Sequence, residues 1–164
     1  MYMKKRILLI VMFVGATFLL ASDDLYAGTE VKDEIRMENQ AYDEHKKSIQ
    51  VFTHKKHATE YAGKNLYLYK NGCGECHHDD DNKPLKELKE GDEVQNCIEC
   101  HKKPAYMRGK KAKGLTKEQK LEYHANAIHY NCKGCHKLFN KKMKLKSKDK
   151  GAAPRTCKQC HPKQ

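Results

Sequence analysis

The stretch Cys73-Gly-Glu-Cys76-His77-His78 decides how this sequence folds. Two cysteines separated by two residues suit a disulfide, a redox pair or half of a zinc site. None of these requires the histidine that follows the second cysteine, and here a second histidine comes directly after it. The rest of the sequence has to explain the two histidines.

The frame C-x-x-C-H occurs four times and uses all eight cysteines of the chain. Its members are Cys73, Cys76 and His77; Cys97, Cys100 and His101; Cys132, Cys135 and His136; and Cys157, Cys160 and His161. Successive frames begin 24, 35 and 25 residues apart, which indicates an internal duplication.

C-x-x-C-H is the attachment motif of a c-type haem. Its thiols bind the two vinyl groups of the porphyrin. Its histidine binds the iron from the same side and is the proximal ligand. Intervals of 20 and 21 residues between paired C-x-x-C units also fit zinc ribbons, and eight cysteines in an exported chain fit four disulfides. Thioredoxin-like redox pairs would need a βαβ pattern, which is absent. Because none of these alternatives requires the four histidines, we expect four covalently bound c-type haems.

The composition leaves little material for an aliphatic core. Residues 28–164 contain only 17 Leu, Ile, Val and Phe residues and no Trp, and 33% of the whole chain is charged. Such a composition normally indicates disorder, but four rigid, largely apolar porphyrins would replace the missing core. The expected fold is therefore a small multihaem cytochrome with little regular secondary structure. We expect a few short α-helices, with room for a short β-hairpin, wrapped around the haems.

The beginning of the sequence has the pattern of a secretory signal. Three basic residues at positions 4–6 precede an apolar run from Ile7 to Ala21, and Ala27 is a small residue suited to cleavage. The run is shorter than the ~20 residues that span a bilayer. We therefore predict a signal peptide at residues 1–27 and a periplasmic protein, with a retained membrane anchor as the alternative. Residues 28–48 are then a charged N-terminal extension, and residues 49–164 the tetrahaem domain.

Six histidines lie outside the four motifs. They are His45, His54, His57, His78, His124 and His129. They suffice to give each of four irons a second axial ligand. Irons closed by two histidines transfer electrons, whereas an iron with an open position can bind and transform a ligand. This count predicts an electron carrier rather than an enzyme.

Longer elements around the motifs resemble the class III cytochromes c, the small low-potential multihaem carriers of sulfate- and metal-reducing bacteria. These elements are Val51-Phe52-Thr53-His54-Lys55-Lys56-His57, Cys73–His78, His129–His136 and Ala153–Cys157. The resemblance covers residues 49–163. Two features depart from it: all four motifs are C-x-x-C-H, where many relatives have C-x4-C-H at the second and fourth, and the segment from Ala58 to Gly72 is long for a loop of this family.

The resemblance also implies the distal ligands of the haem irons. They are His54 for the first haem, His78 for the second, His57 for the third and His129 for the fourth. It places Phe52 between the first and third haems. His77 and His78 would then serve two different haems, and one dipeptide would fix the mutual orientation of the two rings.

The segment before the third motif predicts a helix. Thr116-Lys-Glu-Gln119 has the form of a capping box, and a helix running on from it carries Leu121, Ala125 and His129 on one face. His124 lies about 140° around that helix from His129, so the two cannot serve the same iron. We expect His124 at the surface or beside a haem propionate, and His45 in solvent.

Basic residues form two clusters, which we call the lysine face. It comprises Arg108, Lys110, Lys111, Lys113, Lys141, Lys142, Lys144, Lys146, Lys148 and Lys150. The formal net charge is +12, and in an exported chain this favours an acidic protein partner or an anionic membrane over nucleic acid. The face is either a solvated loop or a docking surface, which the resemblance implies lies near the fourth haem.

The sequence as a whole predicts an exported tetrahaem cytochrome that carries electrons. Its partners would be a periplasmic dehydrogenase or hydrogenase and a membrane or extracellular acceptor. A membrane-anchored tetrahaem quinol dehydrogenase is one alternative, and a multihaem reductase is another.

Overall fold

The computed structural model describes residues 32–163, so the predicted signal peptide at residues 1–27 lies outside the described part. The strands and α-helices are β1 (Ile35–Arg36), β2 (Val51–Phe52), α1 (His54–Lys56), α2 (Ala62–Lys64), α3 (Cys97–Cys100), α4 (Lys117–Leu121), α5 (His124–Lys142) and α6 (Cys157–Cys160). Single turns of other helix types occupy His57–Tyr61 (π) and Leu66–Leu68, Gly72–Glu75 and Gly109–Ala112 (3₁₀). Within residues 32–163, no helix is long and apolar enough to cross a membrane.

No hydrophobic side chain is buried among the described residues. The buried polar side chains there are His124 and Asn140. With its few short helices and a single two-stranded sheet, the fold confirms the expected class of small multihaem cytochrome with little regular structure. A chain with so few aliphatic residues cannot close an interior by itself.

The two strands pair antiparallel, with Ile35 opposite Phe52 and Arg36 opposite Val51. This pairing joins the predicted N-terminal extension to the segment that carries His54 and His57. The extension also contacts the other end of the chain, because the Ser48 hydroxyl donates to the Pro162 carbonyl at 2.8 Å. Residues 32–48 therefore pack against the rest of the fold.

The predicted capping box is present at the start of α4. The Thr116 hydroxyl accepts from the Gln119 amide at 3.2 Å, and the Gln119 side chain accepts from the Thr116 amide at 2.9 Å. The prediction of one continuous helix through His129 is wrong, because α4 ends at Leu121 and α5 begins at His124. Lys103 causes the break: its amide donates to the Glu122 carbonyl, and its carbonyl accepts from the His124 amide.

The segment from Ala58 to Gly72 is largely helical rather than an open loop. The π-helical turn at His57–Tyr61, α2 and a 3₁₀ turn follow one another through it. Side chains bond back along the segment, as when the Asn65 amide donates to the Tyr61 carbonyl at 2.9 Å. These local bonds account for its ordered turns.

Helix α5 is the longest element, and two asparagines on it bind distant backbone. Asn140 donates to the Ala153 carbonyl at 2.9 Å and accepts from the Ala153 amide at 2.8 Å. Asn126 does the same for Met107, at 2.9 and 2.7 Å. In each case one asparagine side chain bonds both the amide and the carbonyl of a single residue, as a neighbouring strand would. These bonds hold the segments at Met107 and Ala153 against α5.

Candidate haem-binding site

Helical turns bring the cysteines and histidine of each motif to one side of the backbone. Side chains three and four residues apart lie on the same face of a helix. In the first, second and fourth motifs, the histidine amide donates to the carbonyl of the first cysteine. These bonds are His77 to Cys73 at 3.0 Å, His101 to Cys97 at 2.9 Å and His161 to Cys157 at 2.7 Å. The third motif lies within α5.

Residues inside two motifs begin their own helical turns. Thr156 and Gln159 form a reciprocal capping box around the fourth motif, with the Gln159 side chain accepting from the Thr156 amide at 3.1 Å. The Glu99 side chain accepts from the Asn96 amide at 3.3 Å in the second motif. The variable positions of the motif therefore stabilise the turn that presents the thiols. The sequence pattern of these capping boxes is Asn or Thr before the first cysteine and Glu or Gln before the second. This pattern is visible in the sequence, but the sequence analysis did not identify it.

Gly74 is required by a close backbone contact in the first motif. A Cβ built on Gly74 would lie 2.9 Å from backbone atoms of Leu85. Leu85 approaches because its amide donates to the His77 carbonyl at 3.0 Å. This contact ties the first motif to the segment that leads to the second.

The structure brings each motif histidine next to one histidine from outside the motifs. The distances between ring centres are 6.2 Å for His54 and His77, 6.0 Å for His78 and His101, 6.4 Å for His57 and His136, and 6.1 Å for His129 and His161. Zinc–imidazole bonds are about 2.0–2.1 Å long, and a metal held at similar distances between two imidazoles would separate the ring centres by about 6 Å. The four pairs have the spacing that an axially ligated metal needs.

Most of these rings direct one nitrogen to the backbone. In six of the eight, Nδ1–H donates to a carbonyl at 2.5–2.8 Å: His57 to Thr53, His78 to Asp79, His101 to Leu121, His129 to Ala125, His136 to Pro154 and His161 to Ser48. A carbonyl can only accept, so Nδ1 carries the proton and Nε2 keeps a lone pair for a metal. The buried Nδ1 of His54 has no hydrogen-bond partner among the described residues.

Burial favours the uncharged form of three of the paired histidines and of two motif cysteines. It lowers the pKa of His77, His129 and His136, with the positive potential of a neighbouring histidine as a smaller cause. Neutral imidazole is the form that binds metals. Burial also raises the pKa of the Cys76 and Cys132 thiols to about 11. At these two positions the uncharged thiol is therefore favoured over the thiolate.

The second pair borders a cavity large enough for a ligand. The cavity has a volume of about 470 Å³, and Cys97, Cys100, His78 and His101 line it. The two thiols and the imidazole of the second motif thus line the same cavity as His78, the partner of His101. This donor set fits a covalently attached haem with two axial histidines.

The cysteines are free in the structure. All eight are unpaired thiols, so the alternative in which they form four disulfides is not seen in the structure. Among residues 32–163, no group of three or more His, Cys, Asp or Glu side chains is arranged to hold a metal ion.

The two remaining histidines occupy different environments. His45 is exposed, as expected. Of the two places expected for His124, the surface is wrong, because its side chain is buried and its Nδ1 lies 2.9 Å from the Tyr42 hydroxyl. A place beside a haem propionate stays a prediction. Tyr42 lies 82 residues away in the N-terminal extension, and nothing in the local sequence pattern announces such a contact.

Three aromatic side chains contact the paired histidines: Phe52, Tyr61 and Tyr106. Phe52 lies 5.8 Å from the His54 ring and 4.6 Å from the His57 ring, between the first and third pairs as the resemblance implies. Tyr106 stacks on His129 with ring centres 4.4 Å apart. Sequence analysis did not single out Tyr106, because it belongs to no motif.

Helical thiol pairs, paired histidines and the missing aliphatic core together define a multihaem cytochrome. The sequence model of the class III cytochrome c family matches residues 29–162, and the chain belongs to that family. It is therefore an electron-transfer cytochrome that binds c-type haem covalently. The match begins 20 residues before the resemblance seen in the sequence and includes most of the predicted extension. Neither the comparison with curated proteins nor that with solved structures gives a match.

Proposed function

We propose that the protein is an exported electron carrier with four covalent haems, each iron bound by two histidines. The observation that carries this proposal is the set of four histidine pairs with ring centres 6.0–6.4 Å apart. Each pair combines one histidine of a C-x-x-C-H motif with one from elsewhere. A chain that needed an open iron would leave at least one motif histidine without such a partner.

The pairs assign the axial ligands. His77 and His54 bind the first iron, His101 and His78 the second, His136 and His57 the third, and His161 and His129 the fourth. The eight motif cysteines form the thioether bonds. The same pairing follows from the family resemblance, which was drawn from sequence elements and not from distances.

Neighbouring ligands set the order of the haems. His77 and His78 join the first haem to the second, and His54 and His57, three residues apart, join the first to the third. His129 lies three residues before Cys132 and so joins the fourth haem to the third. Haems held by these residues would therefore be neighbours in the order second, first, third, fourth.

Bound haem supplies reversible one-electron chemistry at iron, and the protein sets the conditions for it. Nδ1 bonds to carbonyls fix ring orientation and increase ligand basicity. Two histidines on an iron exclude substrate and favour outer-sphere transfer. The protein is thus a carrier, not an enzyme.

The lysine face borders the fourth histidine pair on both sides. The Arg108 guanidinium lies 5.8 Å from the Tyr106 ring, which stacks on His129. On the other side, Gln159 of the fourth motif donates to the Ser147 carbonyl at 2.6 Å, inside the second lysine cluster. We place electron exchange with an acidic redox protein here, either a periplasmic hydrogenase or dehydrogenase or a membrane cytochrome complex.

Carbon monoxide tests the closed irons directly. The reduced protein should show no change in its visible spectrum under CO, because no iron has a free position. A spectrum typical of CO-bound haem at one of the irons would favour the multihaem reductase. The N-terminal sequence of the protein purified from cells separates a cleaved carrier, beginning near residue 28, from a membrane-anchored quinol dehydrogenase that keeps residues 1–27.

A further inference from the structure

We infer that Tyr106 is a positioning residue for the fourth haem, and that its ring holds the His129 imidazole in one plane. The inference rests on the proposed function, in which His129 is an axial ligand. It concerns a residue outside every haem motif.

Tyr106 and His129 form a face-to-face stack. Their ring centres are 4.4 Å apart and their planes differ by 19°. Among residues 32–163, the other aromatic contacts to paired histidines are tilted or edge-on, as with Phe52 and Tyr61 against His57. A parallel stack resists rotation of the imidazole about its bond to Cβ, since rotation would drive the two ring faces together or apart.

The backbone beside Tyr106 is fixed to the helix that carries His129. Asn126 on α5 accepts from the Met107 amide at 2.7 Å and donates to the Met107 carbonyl at 2.9 Å. Asn126 precedes His129 by three residues, so both lie on the same side of α5. Helix α5 thus fixes the positions of both Tyr106 and His129. In addition, the Arg108 guanidinium lies over the Tyr106 ring at 5.8 Å.

The stack adds a second restraint to a ligand that already has one. Nδ1 of His129 donates to the Ala125 carbonyl at 2.5 Å, which fixes the ring edge. The plane of the His129 ring makes an angle of 43° with that of His161. The orientation of axial imidazoles tunes a bound metal, so a loosened His129 changes the electronic structure of that one iron.

The test uses the electron paramagnetic resonance spectrum of the fully oxidised holoprotein. Tyr106→Leu should shift or broaden one low-spin ferric signal of the four and leave the other three unchanged. Tyr106→Phe keeps the stack and should give the wild-type spectrum. Tyr130→Leu is the matched control, because Tyr130 is 58% exposed and contacts Lys117 at 4.6 Å rather than a ligand.

Four unchanged signals in a Tyr106→Leu protein with four haems would overturn the inference, as would the same change in Tyr130→Leu. If Tyr106→Leu does not incorporate four haems, Asn126→Ala releases the Met107 backbone and should alter the same single signal; four unchanged signals there would equally overturn it. Failure of the proposed function looks different, because the wild-type spectrum itself would then lack four low-spin signals.

Discussion

At the scale of single residues, the proposed iron ligands are eight histidines that the fold brings together in four pairs. The dipeptide His77–His78 contributes to two pairs. His54 completes the first of these, and His57 contributes to a third. Motif spacing and family resemblance could identify these residues because their signals are local. Tyr42, Tyr106 and Asn126 could not be found in that way, since their roles depend on contacts between distant segments.

Replacing His129 by Met should raise the reduction potential of one haem. A His/Met iron favours the reduced state more than an iron with two histidines. The other three haems should shift only through their coupling to the altered fourth haem. Potentiometric titration followed by visible spectroscopy measures all four.

His124→Met is the control for that substitution. His124 belongs to none of the four histidine pairs and its Nδ1 lies 2.9 Å from the Tyr42 hydroxyl, so its replacement should leave the four potentials close to those of wild type. If His124→Met raised one potential and His129→Met did not, the assignment of the fourth distal ligand would be wrong.

At the scale of elements, two of the short helices are formed by the haem motifs themselves. Helices α3 and α6 consist of the C-x-x-C turn alone, and capping residues within or beside the motif begin them. Sequence could predict the capping box of α4 because the pattern is local. It could not predict the break before α5, because Lys103 causes it from 19 or more residues away.

Gly74→Ala should destabilise the protein. The new Cβ would lie 2.9 Å from the Leu85 backbone, and relieving such overpacking costs about 1–3 kcal/mol. Thermal unfolding of the holoprotein measures the change as a lower midpoint.

Gly134→Ala offers a matched comparison inside the third motif. A Cβ at Gly134 meets nothing within 4 Å, and Ala is favoured over Gly in a helix interior by about 0.5–1 kcal/mol. This variant should be at least as stable as wild type. Equal losses at both glycines would show that the Leu85 contact is not the cause.

At the scale of the whole molecule, the chain has a formal net charge of +12, and no hydrophobic side chain is buried within residues 32–163. Two parts of the lysine face lie near the fourth histidine pair: Arg108, over the Tyr106 ring that stacks on His129, and the segment at Ser147, which is bonded to Gln159. Composition alone predicted both that aliphatic residues could not form the core and that the surface would be positive. The family resemblance implied a place near the fourth haem for these lysines, and the proposal that they lie there also draws on the contacts of Tyr106 and Ser147.

Reversing Lys141, Lys142, Lys144 and Lys146 to Glu should slow electron exchange with an acidic partner. Steered association exceeds the neutral rate by ~10–10³. The Debye length falls from ~30 Å at 0.01 M salt to ~10 Å at 0.1 M, so the wild-type rate should fall towards that of the variant over this range. Stopped-flow reduction at both salt concentrations checks this, and equal, salt-independent rates would leave the lysines as a merely solvated loop.

The central claim is that haems replace the aliphatic core, one for each C-x-x-C-H motif. A pyridine haemochrome assay on purified protein, set against its protein concentration, counts them directly. The account predicts four covalent haems per chain and no zinc. A count of zero with two zinc ions per chain would contradict it.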